Sequence, residues 1–178
     1  MSVAPRQIDG YMIVPPAKAG IHPDDIAEAP TEKIVWFKLR QFTDVPPFGK
    51  KLFLGSTSEK NRLFHQFRSF VLAGQAYWEA GSKTSGSPAS LLYYYSVLNL
   101  AKAELLQTNP NDILSNSIHH GLSYKHAASS SIKSDYLEVG KGVFPLLFEK
   151  RTGVKIPLKT KIPVRNLLSL IPRYRVRS

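Results

Sequence analysis

The chain has 178 residues and a formal net charge of +11, and 43% of its residues are hydrophobic, which suits one folded domain and excludes a disordered chain. It contains no cysteine, which excludes a disulfide framework, a disulfide-linked partner and cysteine-based zinc sites, and which is typical of the reducing cytoplasm. The sequence shows neither a secretory signal nor an uninterrupted apolar run of membrane-spanning length, so we expect a cytoplasmic protein that does not cross a membrane.

Residues 1–55 are predicted to be an extended N-terminal lead-in with one short helix. In Thr31–Phe42 the apolar residues recur at helical spacing, which predicts the helix, although the β-branched and aromatic content also allows a strand. The segment 44–49 contains Pro46 and Pro47 and is predicted to be a loop.

The first long helix is predicted at Ser56–Gly81. Its apolar residues recur at steps of three and four residues, and the serine and threonine residues at its start are suitable N-caps. Gly74 lies in the middle of this helix, where glycine costs about 1 kcal/mol relative to alanine. We therefore expect Gly74 to allow the close approach of the next helix.

The second long helix is predicted at Pro88–Gln107, with Ser87 as its N-cap and Pro110 beyond its end. Its apolar residues cover most of its circumference, which predicts a central helix that is buried on most sides. The connector between the two helices is rich in glycine and serine and predicts an antiparallel hairpin. This hairpin is the centre of a predicted helical core at residues 56–134.

Residues 135–178 are predicted to be a small β element followed by the start of a basic C-terminal helix. Tyr136–Phe148 is predicted to form two strands around a turn at Gly140–Gly142. Val154–Lys159 alternates apolar and basic residues and is predicted to be an edge strand, whereas Ile162–Pro172 begins a helix. The predicted fold class is α+β, mainly α: an antiparallel long-helix hairpin followed by a small β-hairpin element.

The basic residues are concentrated near the C-terminal end. Nine Lys and Arg residues follow Glu149 with no Asp or Glu among them, so they account for nine of the net charge of +11. This segment includes Arg165, Arg173 and Arg175 and is a candidate nucleic-acid contact. The alternative is that the chain is a fragment of a longer protein, in which an acidic segment covers this surface.

His119 and His120 are the candidates for catalysis, because imidazole groups can transfer protons at neutral pH and can bind metals. No carboxylate lies close to them in sequence and no metal-ligand spacing is complete, so we expect neither a metal site nor a cofactor. The alternative is a structural role, in which His120 hydrogen-bonds the helical hairpin while Gly121 permits a tight turn.

The second long helix also carries polar residues. Asn99 and Lys102 share one helical face, and together with Tyr95 and His120 they form a predicted polar cluster and a candidate binding site. Tyrosine beside lysine is also typical of sites for single-stranded nucleic acid, whereas aromatic residues of a buried helix usually belong to the core.

Two motifs carry a family resemblance. The pattern Tyr-Tyr-Ser-x-x-Asn-Leu-x-Lys-Ala at Tyr94–Ala103, followed by His120-Gly121-Leu122, resembles the YaaC-like family of bacterial proteins. Gly142–Phe144 and Leu167–Pro172 fit the same order, so that the resemblance covers roughly residues 60–172. It implies membership of a largely uncharacterised family whose members are generally longer.

The order of long helices, loop and His-Gly-Leu is also similar to HEPN domains, which are helical modules of toxins and RNA-processing factors. This similarity implies a HEPN-like helical core and a homodimer. Catalytic HEPN proteins carry an arginine and, four to six residues further on, a histidine. Here Arg62 and His65 are separated by only two residues, so the similarity does not imply nuclease activity.

We therefore expect a non-catalytic binding or assembly module that contacts nucleic acid through its basic C-terminal segment. One alternative is a HEPN-like ribonuclease or toxin with atypical or missing catalytic residues. The other is a small-ligand-binding helical domain, with a pocket between the two long helices at Asn99, Lys102 and His120.

Overall fold

The computed structural model describes residues 6–8, 11–13, 31–115, 118–127 and 132–168 of the chain. The helices are α1 (Thr31–Asp44), α2 (Pro46–Lys50), α3 (Thr57–Ser82), α4 (Ser87–Leu105), α5 (Pro110–Leu114), α6 (Val143–Thr152) and α7 (Val164–Leu168). The strands are β1 (Arg6–Ile8), β2 (Tyr11–Ile13), β3 (Leu122–Lys125), β4 (Tyr136–Val139) and β5 (Lys161–Pro163), and a short 3-10 helix spans Ile132–Ser134. The predicted fold class, α+β and mainly α, is confirmed.

The short helix α1 is confirmed, and the strand considered as its alternative is not formed. Its Trp36 ring contacts the Trp78 ring of α3, with the ring centroids 6.3 Å apart. The prediction of a loop at 44–49 is wrong, because Pro46–Lys50 forms α2. Proline is favourable in the first turn of a helix, where an N–H would have no intrahelical acceptor, and the two prolines therefore begin α2.

The two long helices α3 and α4 form the predicted antiparallel hairpin. Ser56 is the N-cap of α3, and its Oγ accepts a hydrogen bond from the Glu59 amide at 3.2 Å. The N-cap of α4 is Gly86 and not the predicted Ser87. The helix starts one residue earlier than predicted because the Gly86 carbonyl already accepts a hydrogen bond from the Ala89 amide at 3.1 Å.

Gly74 is the point of close approach between α3 and α4, as predicted. The Ser96 Oγ atom of α4 is fully buried and donates a hydrogen bond to the Gly74 carbonyl at 2.7 Å. A Cβ atom at Gly74 would lie 3.2 Å from Leu100 Cγ and 3.3 Å from the Ser96 carbonyl. Larger side chains at this position would therefore push the helices apart.

The prediction that α4 is buried on most sides is wrong. Leu91 and Val97 are 54% and 57% exposed, and Tyr94 and Tyr95 are also exposed. The reason is that α3 covers only one side of α4, while α6 packs on the C-terminal half of its other side. The N-terminal half of α4 therefore presents an apolar surface to solvent.

The hydrophobic core lies where α3, the C-terminal end of α4 and the start of α6 meet. Leu105 and Leu106 have no solvent exposure, and they pack with Phe67 and Val71 of α3. Val143, the first residue of α6, joins the same cluster. The core therefore fixes the position of α6 against α4.

The predicted small β element is present, but its composition differs from the prediction. β4 is the central strand and pairs antiparallel with β3 on one side and with β5 on the other. The second strand predicted within Tyr136–Phe148 is wrong, because Val143–Thr152 forms α6. No edge of β4 is free to pair with a further strand, because β3 and β5 occupy both. Gly142 and Gly153 cap the two ends of α6.

The edge strand predicted at Val154–Lys159 is also wrong. A turn closes there, since the Thr160 amide donates to the Pro157 carbonyl at 3.3 Å and Lys159 adopts a positive φ of 66°. The edge strand begins only after this turn, as β5 at Lys161–Pro163. The helix predicted from Ile162 starts as α7 at Val164, and its residues after Leu168 lie outside the described residues.

Candidate functional site

An open cavity of about 710 Å³ lies between α4, β3, β4 and α6. We call it the apolar groove, because eight of its twelve lining residues are apolar. The apolar lining residues are Val97, Leu98, Ala101, Leu122, Leu137, Val143, Phe144 and Leu147, and the polar ones are Tyr94, His120, Ser123 and Tyr124. An apolar cavity with a few polar groups is the usual form of a small-molecule site.

Two glycines next to the groove, Gly121 and Gly142, pack backbone against backbone. A Cβ atom at Gly121 would lie 2.7 Å from Pro145 Cδ and 3.1 Å from Gly142 Cα, and Gly121 has a positive φ of 86°. The amides of Val143 and Phe144 donate to the carbonyls of His119 and His120, both at 2.9 Å. The segment before β3 therefore satisfies the free N–H groups of the first turn of α6.

His120 lies at the side of the groove and is held by two contacts. Its Nδ1 atom accepts a hydrogen bond from the Leu122 amide at 3.2 Å. Its ring packs edge-on against Tyr94, with the ring centroids 6.2 Å apart. A neutral imidazole that accepts at Nδ1 carries its proton on Nε2, so His120 can act there as a hydrogen-bond donor.

His119 lines a second cavity of about 710 Å³ on the other side of the same segment. This cavity has a charged rim that includes Asp112, Lys141, Glu149 and Lys155. The two adjacent histidines therefore face different cavities. They do not form a pair that could act on one reacting group.

The predicted polar cluster is divided between two sides of α4. The Asn99 side chain donates to the Tyr95 carbonyl at 2.8 Å within α4. The Lys102 Nζ atom lies 5.8 Å from the centre of the Phe70 ring of α3. His120 contacts Tyr94 and not Tyr95. The structure therefore brings Asn99 and Tyr95 together, but it does not bring Lys102 or His120 to them.

The tyrosines of α4 form an aromatic row that reaches from α3 to the groove. Tyr95 contacts Tyr77 of α3 and its neighbour Tyr94, with ring centroids 5.5 Å and 5.4 Å apart. Tyr94 continues the row to His120. Partial burial, and next the proximity of Tyr95, raise the pKa of Tyr94 above its usual range. Tyr94 is therefore a neutral hydroxyl at neutral pH.

A buried carboxylate near the end of the groove was not predicted from the sequence. Asp135 is 4% exposed, and its side chain accepts hydrogen bonds from the Tyr124 hydroxyl and, at 2.9 Å, from the Ala127 amide. These two bonds hold the pKa of Asp135 below its usual range, and the Tyr124 pKa is raised in turn. His126 Nδ1 lies 3.4 Å from the same carboxylate.

The basic segment is partly engaged in packing. The Lys150 ammonium donates to the Glu104 carbonyl at 2.6 Å, and burial lowers its pKa. The Arg151 Nε atom donates to the Glu104 carboxylate at 3.2 Å. Arg165 is exposed in α7, whereas Arg173 and Arg175 lie outside the described residues. The segment therefore supplies both contacts between α6 and α4 and exposed cations.

No group of three or more His, Asp or Glu side chains in the described ranges could hold a metal ion. No helix within them is both long enough and apolar enough to cross a membrane.

Comparison with known proteins gave one match. A family model described as YaaC-like Protein matches residues 53–176, which include both long helices, the apolar groove and the basic segment. Neither the search of curated proteins nor the search of solved structures gave a significant match.

Proposed function

This chain belongs to the YaaC-like family, and we propose that it is a non-catalytic binding and assembly module that self-associates through α4. The observation that carries the proposal is the exposed apolar surface on the N-terminal half of this helix. Leu91 and Tyr95 are 54% and 39% exposed, and Tyr77 of α3 lies beside them with 37% exposure. Contiguous exposed apolar side chains are typical of protein interaction sites.

The occupant that fits this surface best is a second copy of the chain. From Ser87 to Ala101 the sequence contains no Asp, Glu, Lys or Arg, although the whole chain has a net charge of +11. Two copies of so basic a chain repel each other wherever their charged surfaces meet. An uncharged apolar face avoids this repulsion and is complementary to itself, as a two-fold symmetric interface requires.

Sedimentation velocity over a range of protein concentrations tests this proposal. We expect a dimer that Leu91→Asp converts to a monomer, because a carboxylate would be buried without a partner in the interface. Leu158→Asp is the matched control, since Leu158 is 52% exposed and Leu91 is 54% exposed, but Leu158 lies away from α4. A monomeric wild-type protein, or equal behaviour of the two variants, would refute self-association through α4.

The chain offers a second test because it contains no cysteine. Single cysteines placed at Leu91 and Tyr95 would report contact between copies directly. We expect at least one of them to form an intermolecular disulfide under mild oxidation, while a cysteine at Leu158 forms none. A two-fold axis through α4 brings one residue close to its own copy, within the disulfide range of about 4.4–6.8 Å between Cα atoms.

Nucleic-acid binding is the second candidate function, and it is favoured by the exposed cations after α6. Lys155, Lys159, Lys161 and Arg165 all have exposed side chains. Four neutralised phosphates would give a salt slope of about −2.8 for single-stranded RNA, at about −0.7 for each phosphate. The substitutions Lys155→Gln and Arg165→Gln together should then reduce the magnitude of the slope by about 1.4.

The control for this experiment replaces two exposed lysines elsewhere, Lys33→Gln and Lys83→Gln, which keeps the net charge equal between the two double variants. Equal slopes for both double variants would contradict a specific role of the basic segment. The RNA should stay intact on a denaturing gel. Cleavage that is lost in His120→Ala would instead support the ribonuclease alternative, for which the separation of His119 and His120 offers no support.

A further inference from the structure

The apolar groove has the size and lining of a small-molecule site, and self-association through Leu91 and Tyr95 does not use it. Its volume of about 710 Å³ lies within the range of about 300–1,000 Å³ that is usual for ligand pockets. We infer that the groove binds an elongated apolar molecule that ends in a carboxylate, with the carboxylate next to His120 and Tyr94. This inference is independent of the dimer proposed above.

The walls of the groove determine the apolar body of the ligand. Val97 and Leu98 of α4 form one side, and Phe144 and Leu147 of α6 form another. Val97 is 57% exposed, so one wall of the groove is in contact with water when the groove is empty. Covering such side chains with an aliphatic or aromatic body releases that water and is favourable in proportion to the apolar area covered.

The polar groups of the groove determine the other end of the ligand. The Tyr124 hydroxyl already donates to Asp135, and His120 Nδ1 already accepts from the Leu122 amide. The groups that remain are His120 Nε2–H and the hydroxyls of Tyr94 and Ser123, and the rings of His120 and Tyr94 are in edge-on contact. All three groups can donate a hydrogen bond, and the imidazole can only donate at Nε2, so the ligand group that suits them is an acceptor.

A carboxylate is the acceptor that fits the pair formed by His120 and Tyr94. It presents two oxygen atoms to two neighbouring donors, and hydrogen bonds to an ionised acceptor are about twice as strong as neutral ones. The net charge of +11 also attracts an anion. Phosphate sites are usually built around Arg or Lys side chains, and none of the described residues that line the groove is Arg or Lys.

Isothermal titration calorimetry with three ten-carbon probes tests the inference. The probes are decanoate, decanol and decyltrimethylammonium, which share an apolar body and differ in the head group, each used below the concentration at which it forms micelles. We expect decanoate to bind about tenfold more tightly than decanol, because its hydrogen bonds are charge-assisted. Decyltrimethylammonium should bind most weakly, since it has no acceptor and carries a positive charge.

Two variants locate the two ends of the ligand. Val97→Asp should abolish decanoate binding, and Val154→Asp should leave it unchanged, although the two valines are 57% and 56% exposed. His120→Asn keeps an oxygen that can accept from the Leu122 amide but removes Nε2–H. We expect the preference of this variant for decanoate over decanol to shrink without vanishing, because the Tyr94 hydroxyl still donates to the carboxylate. Circular dichroism shows whether each variant is folded.

The outcomes separate this inference from the proposed function. Leu91→Asp should abolish self-association and still bind decanoate with the affinity of the wild type. Binding of no probe to the folded wild type, or equal binding to Val97→Asp, would overturn the groove as a ligand site. Equal affinity of the wild type for decanoate and decanol would overturn the carboxylate. None of these results depends on the oligomeric state.

Discussion

Replacing Gly121 with alanine should destabilise the protein more than the same replacement at Gly153 or Gly140. Alanine at a positive φ costs about 1–2 kcal/mol, and the φ of Gly121 is 86°. The new Cβ atom would also lie 2.7 Å from Pro145 Cδ and 3.1 Å from Gly142 Cα, and overpacking of this kind costs about 1–3 kcal/mol. We therefore expect the free energy of unfolding to fall by about 3 kcal/mol, which lies within the summed range of about 2–5 kcal/mol.

Two other glycines separate these contributions. Gly153 has a positive φ of 72°, but no side-chain or non-neighbouring atom lies within 4 Å of the position that an alanine Cβ would occupy. Gly153→Ala should therefore lower the free energy of unfolding only by the backbone contribution of about 1–2 kcal/mol. Gly140 has neither feature, so Gly140→Ala should change the free energy of unfolding by less than about 0.5 kcal/mol.

Denaturant unfolding of the three variants is the assay, with thermal unfolding as a second measurement. For a chain of 178 residues, a loss of about 3 kcal/mol lowers the melting temperature by about 6–12 °C. The reasoning would be refuted if Gly121→Ala lost no more stability than Gly153→Ala. That result would mean that the contact between Gly121 and Gly142 does not hold α6 against the segment before β3.

Three further predictions concern single side chains. Ser96→Ala should lower the free energy of unfolding by about 1 kcal/mol, because it removes the buried hydrogen bond between α4 and α3. Ser69 is exposed, so Ser69→Ala should change the free energy of unfolding by less than about 0.5 kcal/mol. Denaturant unfolding measures both. The pKa of Asp135 is lower in the folded protein than in the unfolded chain, where it is about 3.9. The carboxylate therefore stabilises the folded protein at pH values above the unfolded pKa, and this contribution is lost as the pH falls through the folded pKa. The stability difference between the wild type and Asp135→Asn, measured by unfolding at several pH values, should therefore shrink as the pH falls below about 4. A difference that grows as the pH falls below about 4 would contradict this assignment. Glu104→Gln should lower the free energy of unfolding by less than about 1 kcal/mol, because the ion pair between Glu104 and Arg151 lies at the surface. This loss of stability should be smaller in high salt. A loss that does not change with salt would argue against an ionic contribution.

The parts of the fold that the sequence predicts are those that depend on neighbouring residues along the chain. The apolar period and the Ser56 cap locate α3 within one or two residues. The same reasoning locates α4 and leads from Gly74 to the close contact between these helices. A period of three and four residues, a cap and a mid-helix glycine are all local signals, so no knowledge of the remaining chain is needed.

The errors occur where partners distant in sequence decide the structure. Val143–Phe148 has the composition of a strand, but both edges of β4 are taken by β3 and β5. β3 was not predicted because only Leu122 at its start is partly buried, so it lacks the alternation of a half-buried strand. The exposure of Leu91 follows from how far α6 extends along α4. None of these facts has a local signal in the sequence.

The same limit applies to the candidate site. His120 was identified as a site residue from its type, and the structure places it in the groove. Its neighbours Tyr94 and Phe144 come from segments more than twenty residues away on either side, so their contact could not be derived from spacing. Asp135 and Tyr124 pair across two strands, and β3 would have had to be known for that pair to be predicted.

The motif in α4 that carries the family resemblance contributes both to the contact with α3 and to the groove. Among its fixed positions, Ser96 and Leu100 pack against Gly74 of α3. Its three open positions are occupied by Val97, Leu98 and Ala101, and all three line the groove. Tyr94, another fixed position, also lines the groove. The same stretch of α4 therefore makes the close contact with α3 and supplies one wall of the groove.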